Sequence, residues 1–208
     1  MRTRIKFCGM TRAEDVALAS ELGVDAVGLI FAERSKRRID VSRARELRGA
    51  AGPFVTTVAL FMDNGITPVQ GIISIVKPML LQFHGEETAE ECERFGLPYL
   101  KVVAMGSGNG IDTVQRHPDA AGFVFDSHAA GQAGGSGEAF DWTALTDIGA
   151  RRVILAGGLT PENVYDAVRA VRPHAVDVSS GIEASPGIKD AERMRRFIAQ
   201  VRRADESE

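Results

Sequence analysis

Eight alternations of a strand-like run and a helix-like run predict a closed parallel (β/α)8 barrel of the TIM type, a single domain over residues 1–208. Three observations carry that expectation. No linker, composition break or low-complexity tract interrupts the alternation. Strict strand-helix order implies parallel strands, because parallel neighbours need a crossover between them. The last two units place glycine loops, Gly157-Gly158 and Ser180-Gly181, after consecutive strands, at the same end of one sheet. An open doubly wound sheet is the other arrangement that such alternation permits.

The first strand is Arg4–Phe7, and Thr11-Arg12-Ala13-Glu14 has capping-box spacing before a helix through Leu22. Ala26–Phe31 is the second strand; a basic loop, Glu33–Arg38, leads to a helix over Val41–Ala50. Phe54–Phe61 is the third, followed by Asp63-Asn64-Gly65 and a helix with Thr67 as cap and Pro68 just inside. Met79–His84 is the fourth, and Thr88-Ala89-Glu90-Glu91 opens another capped helix. Tyr99–Met105 is the fifth, with a weak helical segment near Ile111–Arg116, and Gly122–Asp126 is the sixth. A long loop of small residues, Ser127–Phe140, ends at Asp141, a suitable cap for a helix over Trp142–Ile148.

The seventh strand, Val153–Ala156, breaks at Gly157-Gly158. Thr160 then reads as an N-cap with Pro161 at the first helical position. Val164, Val168 and Val171 recur at helical spacing, and Pro173 marks the stop. Ala175–Val178 is the eighth strand and Asp190–Val201 the last helix. The charged tail from Arg202 to Glu208 is expected to fray.

Composition narrows the function classes. With 25 Lys+Arg against 28 Asp+Glu the net charge is −3, which offers nucleic acid no electrostatic footprint. No stretch is apolar enough to span a membrane, and the charged start lacks the apolar core of a signal peptide. Two cysteines, Cys8 and Cys92, make no disulfide framework, so a cytoplasmic location is expected. Oligomeric state is not legible.

In a barrel, reacting groups stand at the carboxyl ends of the strands. Cys8 follows the first strand, Arg37 lies beyond the second, His84 ends the fourth and Asp126 ends the sixth. Singly, each has a plain structural reading: a packed thiol, a solvated basic loop, a turn histidine, a turn aspartate. Together, a thiol, a carboxylate, a guanidinium and two glycine loops would share one mouth. Glycine amides beside a helix start hold an anion, so a phosphorylated small molecule is the expected partner. No His, Cys and carboxylate spacing suggests a metal. The tract Gly131–Gly137 lacks the Gly-Lys-Ser/Thr of a nucleotide-binding loop and reads better as a lid.

Strand alternation adds a pairing. Lys6 shares the inward face with Cys8, as Asp177 does with Ser179, while Ile5 and Phe7 face the helices. Closure sets the first and last strands side by side, which predicts a Lys6–Asp177 ion pair across the seam.

These residues carry a family resemblance over nearly the whole chain. Lys6-Phe7-Cys8-Gly9-Met10-Thr11, Ser35-Lys36-Arg37, Leu81-Gln82-Phe83-His84-Gly85-Glu86-Glu87 and Phe125-Asp126 resemble, in that order, motifs of the phosphoribosylanthranilate isomerases of tryptophan synthesis. Gly134-Gly135-Ser136-Gly137 with Phe140-Asp141-Trp142 resembles their lid. Gly157-Gly158-Leu159, Pro161-Glu162-Asn163-Val164 and Val176-Asp177-Val178-Ser179-Ser180-Gly181-Ile182-Glu183 resemble their closing units. Phe83 departs from the usual aliphatic residue, and Ala32-Glu33 from a Pro-containing turn.

The resemblance implies an Amadori rearrangement of N-(5-phosphoribosyl)anthranilate, with Cys8 as general base and Asp126 as general acid. It implies that Arg37 holds the anthranilate end and that the backbone around Gly157, Gly158, Ser180 and Gly181 binds phosphate. His84, Asp177 and Ser179 join the expected substrate contacts. No cofactor is implied. An aspartic acid donates only when protonated, a state favoured by desolvation or by a nearby negative charge. A cysteine base acts as thiolate, which Lys6 or strand-end amides would favour. Cys92, on an outer helix, is expected to be dispensable. Isomerases of histidine synthesis, or a bifunctional barrel serving both pathways, are the nearest alternative, but their base is a carboxylate and they tend to repeat the phosphate site. A non-catalytic barrel would need the glycine loops without the pairing of Cys8 and Asp126.

Overall fold

Eight parallel strands close into a barrel in the computed structural model, which describes residues 2–105, 110–126 and 152–207. They are β1 (Arg4–Phe7), β2 (Ala26–Ile30), β3 (Thr56–Phe61), β4 (Leu80–Phe83), β5 (Tyr99–Ala104), β6 (Gly122–Asp126), β7 (Val153–Leu155) and β8 (Ala175–Val178). Each pairs with its neighbour in chain order, and β1 closes on β8 with Lys6 opposite Asp177. The doubly wound alternative is thereby excluded. Helices α1 (Ala13–Glu21), α2 (Val41–Ala50), α3 (Ile66–Val76), α4 (Ala89–Glu93), α5 (Gly110–Arg116), α6 (Val164–Val171) and α7 (Ala191–Glu206) accompany the strands.

The strands read as continuous apolar runs because both of their faces are buried. One parity, including Ile5, Phe7, Leu29, Phe61, Leu81 and Phe125, packs against the helices. The other fills the barrel: Leu100, Val102, Val124, Ile154, Ala156 and Ala175 form the lower plug, with Cys8, Ile30, Ala32 and Leu60 above it. Phe83 continues an aromatic row on the helix side. Phe31, Phe61, Phe83 and Tyr99 stand 5.6, 5.9 and 6.0 Å apart in succession.

Several local expectations fail for identifiable reasons. Thr11 does not cap α1; Arg12 is the cap residue, with no side-chain cap bond. The Thr11 hydroxyl donates instead to the Gly187 carbonyl, a tertiary partner that local spacing cannot reveal. Helix α3 opens at Ile66 behind Gly65, not at Thr67, and no side chain caps it. Thr160 accepts from the Glu162 amide at 3.2 Å and so starts a turn; α6 begins at Val164, with Asn163 as cap residue. Phe54 lies outside β3 and is 96% exposed.

The tail is the largest correction. Helix α7 runs to Glu206, well past Val201, so residues 202–206 do not fray. Ala204 is buried, and Asp205 accepts from the Thr3 amide at 2.8 Å and the Thr3 hydroxyl at 2.6 Å, tying α7 to the start of β1. Arg203 lies over the Tyr165 ring of α6 at 4.0 Å. Two strands were not anticipated: β9 (Glu183–Ser185) and β10 (Ile188–Lys189) form a small antiparallel hairpin after a 3-10 turn at Ser180–Ile182. The loop Ser127–Phe140 and the helix expected over Trp142–Ile148 lie outside the described residues, as does the glycine-rich stretch after β5. Among the described residues no helix is long and apolar enough to cross a membrane.

Candidate active site

The carboxyl ends of the strands open into one cavity. Its lining brings together nine of the ten residues singled out in the sequence: Cys8, Arg37, His84, Asp126, Gly157, Gly158, Asp177, Ser179 and Ser180. The tenth, Gly181, sits just behind the wall, where its lack of a side chain matters. A Cβ there would collide with the carbonyl oxygen of Leu159, so the loops after β7 and β8 pack backbone to backbone. Convergence of the two glycine loops is therefore direct.

Gly157 and Gly158 both take left-handed φ values, 78° and 65°, turning the chain sharply at the end of β7. The turn is clamped by Asn163, whose side chain accepts from the Thr160 amide at 2.8 Å and donates to the Gly158 carbonyl at 2.9 Å.

Cys8 is buried beside the β1–β8 seam, and its amide donates to the Val178 carbonyl at 2.8 Å. Gly28 on β2 makes room for it, since a Cβ there would stand 2.7 Å from the Cys8 sulfur. The expected seam pair is present: Lys6 Nζ donates to Asp177 Oδ2 at 2.6 Å, with both side chains buried. Burial drives the Lys6 ammonium toward losing its proton, but Asp177 and then Cys8 oppose it, and the pKa ends above the ordinary lysine value. For Cys8, burial pushes the thiol up, Lys6 and Lys189 pull it down, and Asp177 pushes it up again. The balance lies above an ordinary cysteine. Lys6 thus acts in the direction expected but does not outweigh burial.

Arg37 is held more firmly than its basic loop suggested. Its Nε and Nη2 donate to the two oxygens of Glu183 at 2.7 Å each. His84 and Asp126 both face the cavity. Gln82, at the end of β4, also lines it, and its buried Oε1 has no hydrogen-bond partner among the described residues. The same holds for Asp177 Oδ1 and Ser179 Oγ, so three buried acceptors gather at the mouth.

Sequence reading gave no role to Gln82, Gly28, Asn163, Glu183 or Lys189. Strand parity could have found Gln82, an inward polar residue two positions before His84. Gly28 could have been found only through its register opposite Cys8. Cys92 is fully buried on α4, and burial pushes its thiol up to about 12, which makes it inert.

The geometry agrees with comparisons to known proteins. Residues 5–200 match the family model described as N-(5′-phosphoribosyl)anthranilate (PRA) isomerase. A relative from Stenotrophomonas maltophilia, named N-(5′-phosphoribosyl)anthranilate isomerase, is 58% identical over 207 residues, spanning 98% of this chain and 95% of the relative. The crystal structure of phosphoribosyl anthranilate isomerase from Thermus thermophilus superposes with a TM-score of 0.85 at 37% identity, covering 97% of this chain and 99% of that one. A phosphoribosyl anthranilate isomerase solved in complex with reduced 1-(o-carboxyphenylamino)-1-deoxyribulose 5-phosphate superposes at 0.84 with 34% identity, covering 96% and 98%.

Proposed function

The chain belongs to the N-(5′-phosphoribosyl)anthranilate isomerase family of tryptophan biosynthesis, and from that premise we propose that Cys8 and Asp126 carry its proton transfers. The reaction converts N-(5-phosphoribosyl)anthranilate to 1-(2-carboxyphenylamino)-1-deoxyribulose 5-phosphate. The observation that supports these roles is that a thiol and a carboxyl group line the same cavity as the pair of glycine loops.

Asp126, protonated, gives its proton to the ribose ring oxygen as the C1′–O bond breaks, and the anilino nitrogen supplies the electrons, forming an iminium. That cation acidifies C2′. Cys8, as thiolate, takes the C2′ proton, and the released pair forms the C1′–C2′ double bond while neutralising nitrogen. Tautomerisation of the resulting enol, with proton gain at C1′ and loss from the C2′ hydroxyl, gives the ketone. The protein ends with a thiol and a carboxylate, and solvent returns the proton between them.

The loops around Gly157, Gly158, Ser180 and Gly181 hold the phosphate. Arg37, oriented by Glu183, meets the anthranilate carboxylate. His84, Asp177 and Ser179 complete the contacts from the wall. A carboxylate-based isomerase of histidine synthesis is disfavoured by the thiol at position 8. A cytoplasmic location belongs to the same proposal and is supported by two buried free thiols.

The phosphate assignment predicts a split in kinetics. Gly158→Val and Gly181→Ala are expected to raise KM about ten-fold or more and to change kcat by less than about three-fold, because ground and transition states share this contact. Steady-state turnover of the phosphoribosyl substrate reads it. An unchanged KM in both variants removes the phosphate from these loops.

A further inference from the structure

Behind the β8 loop, the β9–β10 hairpin buries a second lysine that the reaction scheme leaves unused. The Lys189 side chain is 0% exposed. Its Nζ donates to the Ser179 carbonyl at 3.0 Å and to Glu183 Oε1 at 2.8 Å. Its backbone is pinned from α1, with the Lys189 amide on Asp15 at 3.1 Å and its carbonyl taking Arg12 at 3.1 Å. Glu183 already has a bidentate partner in Arg37 and needs no second cation for neutrality. A buried lysine is costly to keep charged, so its placement calls for a role beyond pairing.

The position supplies one. Ser179 follows Val178, whose carbonyl accepts the Cys8 amide. Five charged groups are ion-paired along the β1–β8 seam and in the hairpin behind it: Lys6 with Asp177, Arg37 with Glu183, and Lys189 with the same Glu183. Asp126 on β6 and His84 beyond β4 face the same cavity. Three cations thus share two carboxylates, with Glu183 taking both Arg37 and Lys189, so that group of five carries a net positive charge.

We propose that Lys189 is a positioning residue for the Cys8 base: clamped behind the β8 loop by Ser179 and Glu183, it places a buried positive charge that supports the thiolate. The proposal rests on Cys8 being the base. Consistent with it, burial drives the Lys189 ammonium down while Glu183 and Cys8 hold it up, and Lys189 in turn pulls the Cys8 thiol down. Through Glu183 the same residue steadies Arg37, so one buried cation serves two faces of the mouth.

The test is the pH profile of Cys8 alkylation by iodoacetamide in the intact protein, followed on the Cys8 peptide with the Cys92 peptide as an internal silent control. Lys189→Met is expected to raise the midpoint by about one pH unit. Glu183→Gln removes a negative charge while leaving both cations, and is expected to lower it. A purely structural role moves the two midpoints in the same direction or not at all, and either result overturns the proposal. Should Lys189→Met fail to fold, Glu183→Gln decides alone, and a midpoint that does not fall refutes the idea. The kcat/KM profiles separate this inference from the assignment of the base. Midpoints that shift in opposite directions while the kcat/KM limbs stay fixed uphold the charge effect and remove Cys8 as base.

Discussion

Replacing Cys8 with serine, or Asp126 with asparagine, is expected to lower kcat by about 10²–10⁴-fold while leaving phosphate binding intact, the range that a positioned acid or base supplies. Each side chain lines the cavity without belonging to the glycine loops, so its loss should not disturb the anion grip. Serine is nearly isosteric with cysteine, but its hydroxyl is far too weak an acid to yield the base. Asparagine keeps the shape of Asp126 and has no proton of suitable acidity to donate. Steady-state assays with calorimetric binding of inorganic phosphate measure both halves. Near-normal turnover in Cys8→Ser would reduce Cys8 to a packing neighbour of Ile30, Ala32 and Leu60.

The second large effect is on stability. Lys6→Met leaves Asp177 buried without its partner at the seam and is expected to cost about 3–5 kcal/mol in urea unfolding. The double variant Lys6→Met/Asp177→Leu, which removes both charges, is expected to recover most of that loss. The pH dependence has a definite sign. Because the folded Lys6 pKa is raised, the pair's contribution is fully present below the unfolded lysine value of about 10.4 and is lost as pH climbs through the higher folded value. The Lys6 contribution to the stability difference between wild type and Lys6→Met should therefore fade on the alkaline side. A single variant as stable as wild type, or a difference that persists undiminished well above the folded lysine titration, contradicts the account of the seam.

Much of this was legible because period and punctuation agreed. β1, β6, β8 and α2 have the bounds that apolar runs and caps set, and strand alternation with barrel closure was enough to pair Lys6 with Asp177, which the register bears out. What escaped depends on partners far along the chain. Thr11 has capping-box spacing, but its hydroxyl is taken by Gly187, 176 residues away. Asp205 lies in a run of charges that reads as solvated tail, yet it holds Thr3, 202 residues away. The β9–β10 hairpin has strands of three and two residues, too short for any period to show. Glu183 and Lys189 therefore passed as loop charges, although they meet at 2.8 Å behind the active mouth. Gly28 looks like any strand glycine until Cys8 is set across from it.

The measurement that bears most directly on the central claim is the acid limb of kcat/KM in wild type and in Cys8→Asp. In wild type the limb should report a thiol held above the ordinary cysteine value by burial. A carboxylate at position 8 has a reference pKa near 3.9 against about 8.5 for the thiol, and burial raises both. Reduced but measurable turnover with a limb lowered by about three units or more is the expected result. A limb at the same pH in both proteins would show that the titrating base lies elsewhere.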